Sequence, residues 1–184
     1  SAAIVGSAPV KRIFSRQNPD GSWGDASDPY LPKYKSSYWT LMLLGHLAAP
    51  RGTEQIARTV DHILTFQQPG GGFATYEPHN AQDRYEFAAR RESARGRPAL
   101  DEKSFFESRL REMTLSCLTG NVVSAMVRLG YGELPAVMRA TEWLIEIQNE
   151  DGGWLCPYWT AHIHDKHSCF YGTVCALEAL AEMR

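Results

Sequence analysis

The stretch Gln67-Gln68-Pro69-Gly70-Gly71-Gly72-Phe73 decides the fold, because it recurs twice elsewhere in the chain. Gln17-Asn18-Pro19-Asp20-Gly21-Ser22-Trp23 precedes it, and Gln148-Asn149-Glu150-Asp151-Gly152-Gly153-Trp154 follows it. In each, a glutamine leads an aromatic residue by six positions, with glycine between them. Self-similarity of this kind marks a repeat architecture. The segments before the turns, Val60 to Phe66 and Ala140 to Ile147, carry apolar residues at helical spacing. Glycine and proline then stop the helix.

The segments after the turns also match. Lys35-Ser36-Ser37-Tyr38-Trp39-Thr40, Leu115-Ser116-Cys117-Leu118-Thr119-Gly120 and His167-Ser168-Cys169-Phe170-Tyr171-Gly172 align without gaps. Each opens a strongly apolar helix, over about 36–48, 114–129 and 168–183. Small residues recur in these helices, which suits close packing: Gly45, Ala125, Ala176 and Ala179. The expected fold is all-α, a stack of about three helical hairpins. Three units are about the minimum for a stable repeat array, so an open end, a partner chain or self-association is expected.

The turns are unequally spaced, at 17, 67 and 148, which locates an insertion at about 75–112. It is rich in charges of both signs, from Arg84 to Lys103. It reads as a solvated loop with helical pieces, or as a lid or partner surface anchored by Tyr85, Phe87, Phe105 and Phe106.

The chain has 184 residues, within the usual range of one domain spanning 1–184. Hydrophobic residues make up 43% and charged residues 22%, with formal net charge −2. That balance gives no basic surface for nucleic acid. No apolar run approaches the ~20 residues of a membrane span. The N-terminus lacks both a basic start and a long apolar core, so no signal peptide is expected and the location is expected to be cytoplasmic. The four cysteines need not pair as disulfides, and in a reducing compartment metal binding or burial is at least an equal expectation.

The chemistry concentrates at 156–169. Cys156, His162, His164, Asp165, His167 and Cys169 fall within that stretch. Thiolate and imidazole are zinc's preferred ligands. The gapless alignment puts Cys117 at the position of Cys169 in the preceding helix, and neighbouring repeats bring equivalent residues side by side. The expected zinc set is Cys117, His167 and Cys169, with His164 or Cys156 as fourth ligand. Cys175 reads as core. Tyr38, Trp39, Tyr158, Trp159, Phe170 and Tyr171 lie at or near the apolar helix starts. They read as core and rim packing.

The Gln-x5-Trp turns with internal glycine resemble the QW motif of squalene–hopene cyclases, and the whole pattern resembles the prenyltransferase and squalene-oxidase repeat. The likeness covers most of the chain outside the insertion. It implies an α/α toroid, of which three hairpins are half, with inner and outer helices around an apolar cavity. It implies also that the six aromatic residues at the apolar helix starts line that cavity and bind its ligand. In that family the turn's glutamine caps backbone groups, its glycines supply positive φ, and its aromatic ring packs back on the preceding helix. His167-Ser168-Cys169-Phe170 is similar to the zinc-histidine segment of protein prenyltransferase β-subunits, so His167 matches that family's ligand. The Asp-x-Cys pair has no counterpart, since Leu115 stands where the aspartate would be. The D-x-D-D and D-D-x-x-D signatures of terpene cyclases are absent, as are G-C-G-E-Q, G-x-S-x-G and Walker A. The resemblance implies isoprenoid or lipid handling, with a zinc site used for alkyl (prenyl) transfer. The alternative is a non-catalytic repeat module with a structural zinc and a protein or self partner. A divergent cyclase is the third reading.

Overall fold

The computed structural model describes residues 7–49, 52–78, 81–99, 101–105, 114–155 and 167–184. These residues are all-helical, apart from an isolated β-bridge between Gln67 and Phe73. Three outer helices each lead into a glutamine turn: α1 (Ala8–Phe14), α3 (Glu54–Leu64) and α6 (Pro135–Glu146). Three inner helices follow the turns: α2 (Ser37–His46), α5 (Ser116–Arg128) and α7 (Phe170–Glu182). The insertion contributes α4 (Ala81–Ala94) and a single turn at Glu102–Ser104. Its Tyr85 ring meets buried Phe105 edge-on at 5.3 Å, so two of the expected anchors pair. Phe106 lies outside the described residues.

The three turns share one bonding scheme. The backbone N–H of Asn18, Gln68 and Asn149 donates to the carbonyls of Ser22, Gly72 and Gly153, at 2.8–2.9 Å. Gly21, Gly71 and Gly152 take φ of 89°, 105° and 85°, where a side chain would be strained. The indole N–H of Trp23 donates to the Ile13 carbonyl, and that of Trp154 to Leu144, so each ring folds back on the helix before its turn. Phe73 fills the same place with no donor.

The glutamines then tie one hairpin to the next. Gln17 Nε2 donates to the Gly21 carbonyl in its own turn and, at 2.8 Å, to the Gln55 carbonyl in the first turn of α3. Gln67 Nε2 donates to Gly71 and, at 2.7 Å, to the Ala136 carbonyl of α6. The backbone of α3 passes directly over Gly21, and that of α6 directly over Gly71. A Cβ on Gly71 would lie 2.6 Å from the Arg139 carbonyl oxygen.

A hydroxyl at the start of each inner helix completes the scheme. Ser37, Thr119 and Thr173 accept from the backbone N–H of Trp23, Phe73 and Trp154 at 2.8–3.0 Å. This contact corrects the register read from sequence. Ser37 is equivalent to Thr119 and Thr173, so Cys117 is equivalent to Tyr171, and Cys169 to Leu115. The gapless alignment matched Ser-Cys with Ser-Cys, whereas the structure matches the hydroxyl that bonds the turn. The helix ends agree: α2, α5 and α7 stop at the equivalent His46, Arg128 and Glu182. Arg128 bridges them, bonding Glu178, Glu182 and the His46 ring.

Inner helices pack closely through small residues. Gly45 of α2 faces Ala125 of α5, and Gly120 of α5 lies against the Cys175 carbonyl of α7. One buried cluster runs from Trp23 through Leu41, Phe66, Val122 and Leu144 to Ala179.

Two outcomes follow. Gly71→Ala should destabilise the protein by well over the ~1–2 kcal/mol of left-handed strain, because the Arg139 carbonyl must also move. Gly152→Ala has open space around it and should cost only that strain, about 1–2 kcal/mol. Urea unfolding of the two variants measures the difference.

Buried His62 is held below its ordinary 6.5 by burial, against the opposing charges of Asp20 and Glu77. Well above 6.5 neither folded nor unfolded His62 is charged. As pH falls through 6.5 the unfolded chain takes the proton first, so stability is lost towards acid. The melting temperature should therefore fall less in His62→Phe than in the unsubstituted protein between about pH 7 and about pH 5.5. Equal slopes would count against the assignment.

Candidate functional site

The hydroxyls of Ser37, Thr119 and Thr173 point towards the turns and the outer layer. At 100° per residue, the opposite face of each inner helix is fixed by geometry. On α2 it carries Trp39, Met42 and His46. On α5 it carries Cys117, Asn121, Ser124 and Arg128. On α7 it carries Tyr171, Cys175, Glu178 and Glu182.

Polar chemistry gathers at the N-terminal half of this face. The Asn121 amide and the Cys175 thiol lie near enough to the Tyr171 hydroxyl to act on it. Cys117 lies near enough to act on Tyr171 electrostatically, and Cys169 on Cys175. Burial is the main force on both titrating groups: it raises Tyr171, and it pushes the Cys175 thiol up to about 11. Cys175 is therefore a protonated thiol at neutral pH. The Ser124 hydroxyl, buried on the same face, has no hydrogen-bond partner among the described residues. At the other end of the face, Arg128 joins His46, Glu178 and Glu182.

The expected site residues divide between these surroundings. Cys117 is half-buried, Cys169 is buried, and both are thiols rather than disulfides. Cys175 is buried as expected, and it lies beside Tyr171. His167 is exposed. Cys156, His162, His164, Asp165, Tyr158 and Trp159 lie outside the described residues. Among the described residues, no group of three His, Cys, Asp or Glu side chains comes together in a way that would hold a metal ion. Tyr38 is sealed in the core, where its hydroxyl donates to the Ala74 carbonyl at 2.6 Å. Trp39 is half-buried, and its indole N–H donates to the Tyr30 carbonyl. Phe170 and Tyr171 are 85% and 56% exposed.

Asn121 was not singled out from the sequence. The signal was present: Cys117 and Asn121, like Tyr171 and Cys175, stand one helical turn apart on adjacent inner helices. Only the hydroxyl register shows that the two pairs face each other.

No helix among the described residues is long and apolar enough to cross a membrane. No family model matches the chain, and no curated protein matches it.

The shift at Cys175 from 9.0 to about 11 lowers its thiolate fraction about 100-fold at mildly alkaline pH. Native-state alkylation followed by mass mapping should label half-buried Cys117 well before Cys175. Comparable rates at the two sites would contradict the burial of Cys175.

Proposed function

We propose that this chain is a repeat unit of the prenyltransferase and squalene-cyclase type, and that it holds an isoprenoid or other lipid against its inner-helix face. The observation that supports this reading most is the composition of that face. Trp39, Met42 and Tyr171 offer apolar and aromatic surface, and the Cys117–Asn121–Tyr171–Cys175 cluster stands beside them. Aromatic rings suit both a polyprenyl chain and a developing cation. The unpartnered Ser124 hydroxyl leaves a buried polar atom that a ligand or a water would satisfy. The repeated bonding of the three turns supports the comparison with this repeat type over a generic helical bundle.

The reaction class proposed is alkyl (prenyl) transfer, with zinc as the metal. Cys117 and Cys169 have suitable donor atoms, and His167, His164 and Cys156 are the further candidate ligands. Bound zinc would keep an acceptor thiol in its thiolate form. The protein's own contribution is to hold the apolar chain and position its reactive end beside the thiols.

A fluorescent isoprenoid diphosphate analogue should bind saturably, and Tyr171→Ala should weaken it about tenfold, equivalent to ~1.4 kcal/mol. Titration followed by energy transfer from tryptophan measures both. Absence of saturable binding would refute the ligand reading. Elemental analysis should find zinc that is lost in the Cys117→Ser/Cys169→Ser double variant. Zinc-free protein that still binds the analogue would remove the metal and leave the lipid.

A further inference from the structure

Two of the three glutamine turns are covered by the outer helix of the next hairpin, and the third is not. Gln17 and Gln67 are half-buried under α3 and α6, with Gly21 and Gly71 fully buried. Gln148 and Gly152 are exposed. Among the described residues the Gln148 side chain bonds the carbonyl of Gly152 in its own turn, and a Cβ on Gly152 would meet nothing within 4 Å. The third turn has the same backbone form as the others, and no helix among the described residues covers it.

The inner layer ends in the same way. Tyr38 and Leu41 on α2, and Gly120 and Val123 on α5, are buried on the side facing the next inner helix. Their equivalents on α7 are Val174 and Leu177, 44% and 52% exposed, with 85%-exposed Phe170 one turn before.

The opposite end of the array is open at the matching positions. Thr59 and His62 on α3, and Ala140 and Trp143 on α6, are buried. Their equivalents on α1, Pro9 and Arg12, are exposed. Ala125 and Ala179 are buried against the preceding inner helix, and their equivalent Leu43 is 47% exposed. Ala8, Pro9, Arg12, Tyr34, Thr40 and Leu43 line an open groove of about 760 Å³ at this head end.

The pair facing each other across each junction is matched. At the first, Asp20 lies close enough to His62 to act on it electrostatically. At the second, Gly70 leaves room for the Trp143 indole, 3.6 Å from where a Cβ would stand. The next pair in register is Asp151 at the tail and Arg12 at the head. Around them the tail exposes Glu146 at the end of α6 and Glu150 and Asp151 in the turn, and the head exposes Lys11, Arg12, Arg16 and Lys35. The two ends therefore have complementary charge as well as matching repeat positions.

We infer that the tail of one copy, formed by the Gln148–Trp154 turn and the Phe170/Val174/Leu177 face of α7, takes the head of a second copy, formed by α1 and the Leu43 groove. The contact is heterologous, so it joins copies head to tail into a ring or an open row. It continues the geometry of the two junctions inside the chain.

Light scattering on the purified chain should give a mass that is a multiple of the monomer's. Leu43→Glu spoils only the head and Leu177→Glu only the tail, and both side chains are already half exposed. Each variant alone should be a folded monomer whose melting temperature no longer depends on protein concentration. Mixed, they should form a one-to-one pair, because one intact head and one intact tail remain. Arg12→Glu serves as a second head variant if Leu43→Glu fails to fold. A wild-type chain that stays monomeric at its highest soluble concentration overturns the proposal and leaves the faces to a lipid or an unrelated protein. An oligomer whose two variants fail to pair on mixing overturns it too, since that is the behaviour of a symmetric tail-to-tail contact.

Discussion

The side-chain amide of Gln67 joins three pieces of chain: its own helix end, the Gly71 carbonyl and the Ala136 carbonyl of the next outer helix. Gln17 does the same with Gly21 and Gln55, and also reaches the Thr59 hydroxyl at 2.8 Å. Each such bond contributes only about 1 kcal/mol net. Its larger effect is geometric. The amide is part-buried, so it needs its acceptors, and those acceptors set both the shape of the turn and the docking of the following helix. The glycine four residues on must then lack a side chain for two reasons. Its φ is positive, and the next helix passes directly over it. Turn and junction are one constraint, which explains why the glutamine, glycine and aromatic recur as a set.

From that constraint the inner layer follows. The turn places the backbone N–H of Trp23, Phe73 or Trp154 where only a hydroxyl at one position of the inner helix can accept it. This pins each inner helix in rotation about its own axis. Gly45 and Gly120 then let neighbouring helices approach until backbone meets side chain or carbonyl. The face opposite the hydroxyl is consequently the same on all three helices. Cys117, Asn121, Tyr171 and Cys175 meet because of this shared rotation. His46, Arg128, Glu178 and Glu182 meet at the other end for the same reason.

Much of the architecture was legible in the sequence because the turns use residues with few substitutes. Glycine at positive φ and a glutamine that must cap carbonyls leave a visible trace, and so does the apolar spacing of α3 and α6. The all-α class and the extents of the inner helices came from these signals. The register of the inner helices was not legible. Ser116-Cys117 and Ser168-Cys169 match by letter, and nothing in the letters says that Thr119 and Thr173 carry the hydrogen bond. The connection from turn to hydroxyl is fourteen residues in the first hairpin, nineteen in the third and forty-six in the second. Alignment without gaps cannot absorb such differences. That error paired Cys117 with Cys169 as equivalents, and the hydroxyl register pairs Cys117 with Tyr171.

The corrected register changes what the thiols mean. As equivalents, Cys117 and Cys169 would repeat one role on successive helices. In the observed arrangement, Cys117 and Cys175 flank Tyr171 and Asn121 on the inner face, and Cys169 is the N-cap residue of α7. The N-cap position has its backbone committed, since its N–H donates to Trp154 and its carbonyl accepts from Thr173. Its thiol is thereby held at a fixed place at the rim of the face, near Cys175. A buried thiol pushed up to about 11 resists ionisation unless a cation draws the proton away. Burial therefore keeps Cys175 a thiol beside Tyr171, whereas Cys117 on the neighbouring helix is only half-buried.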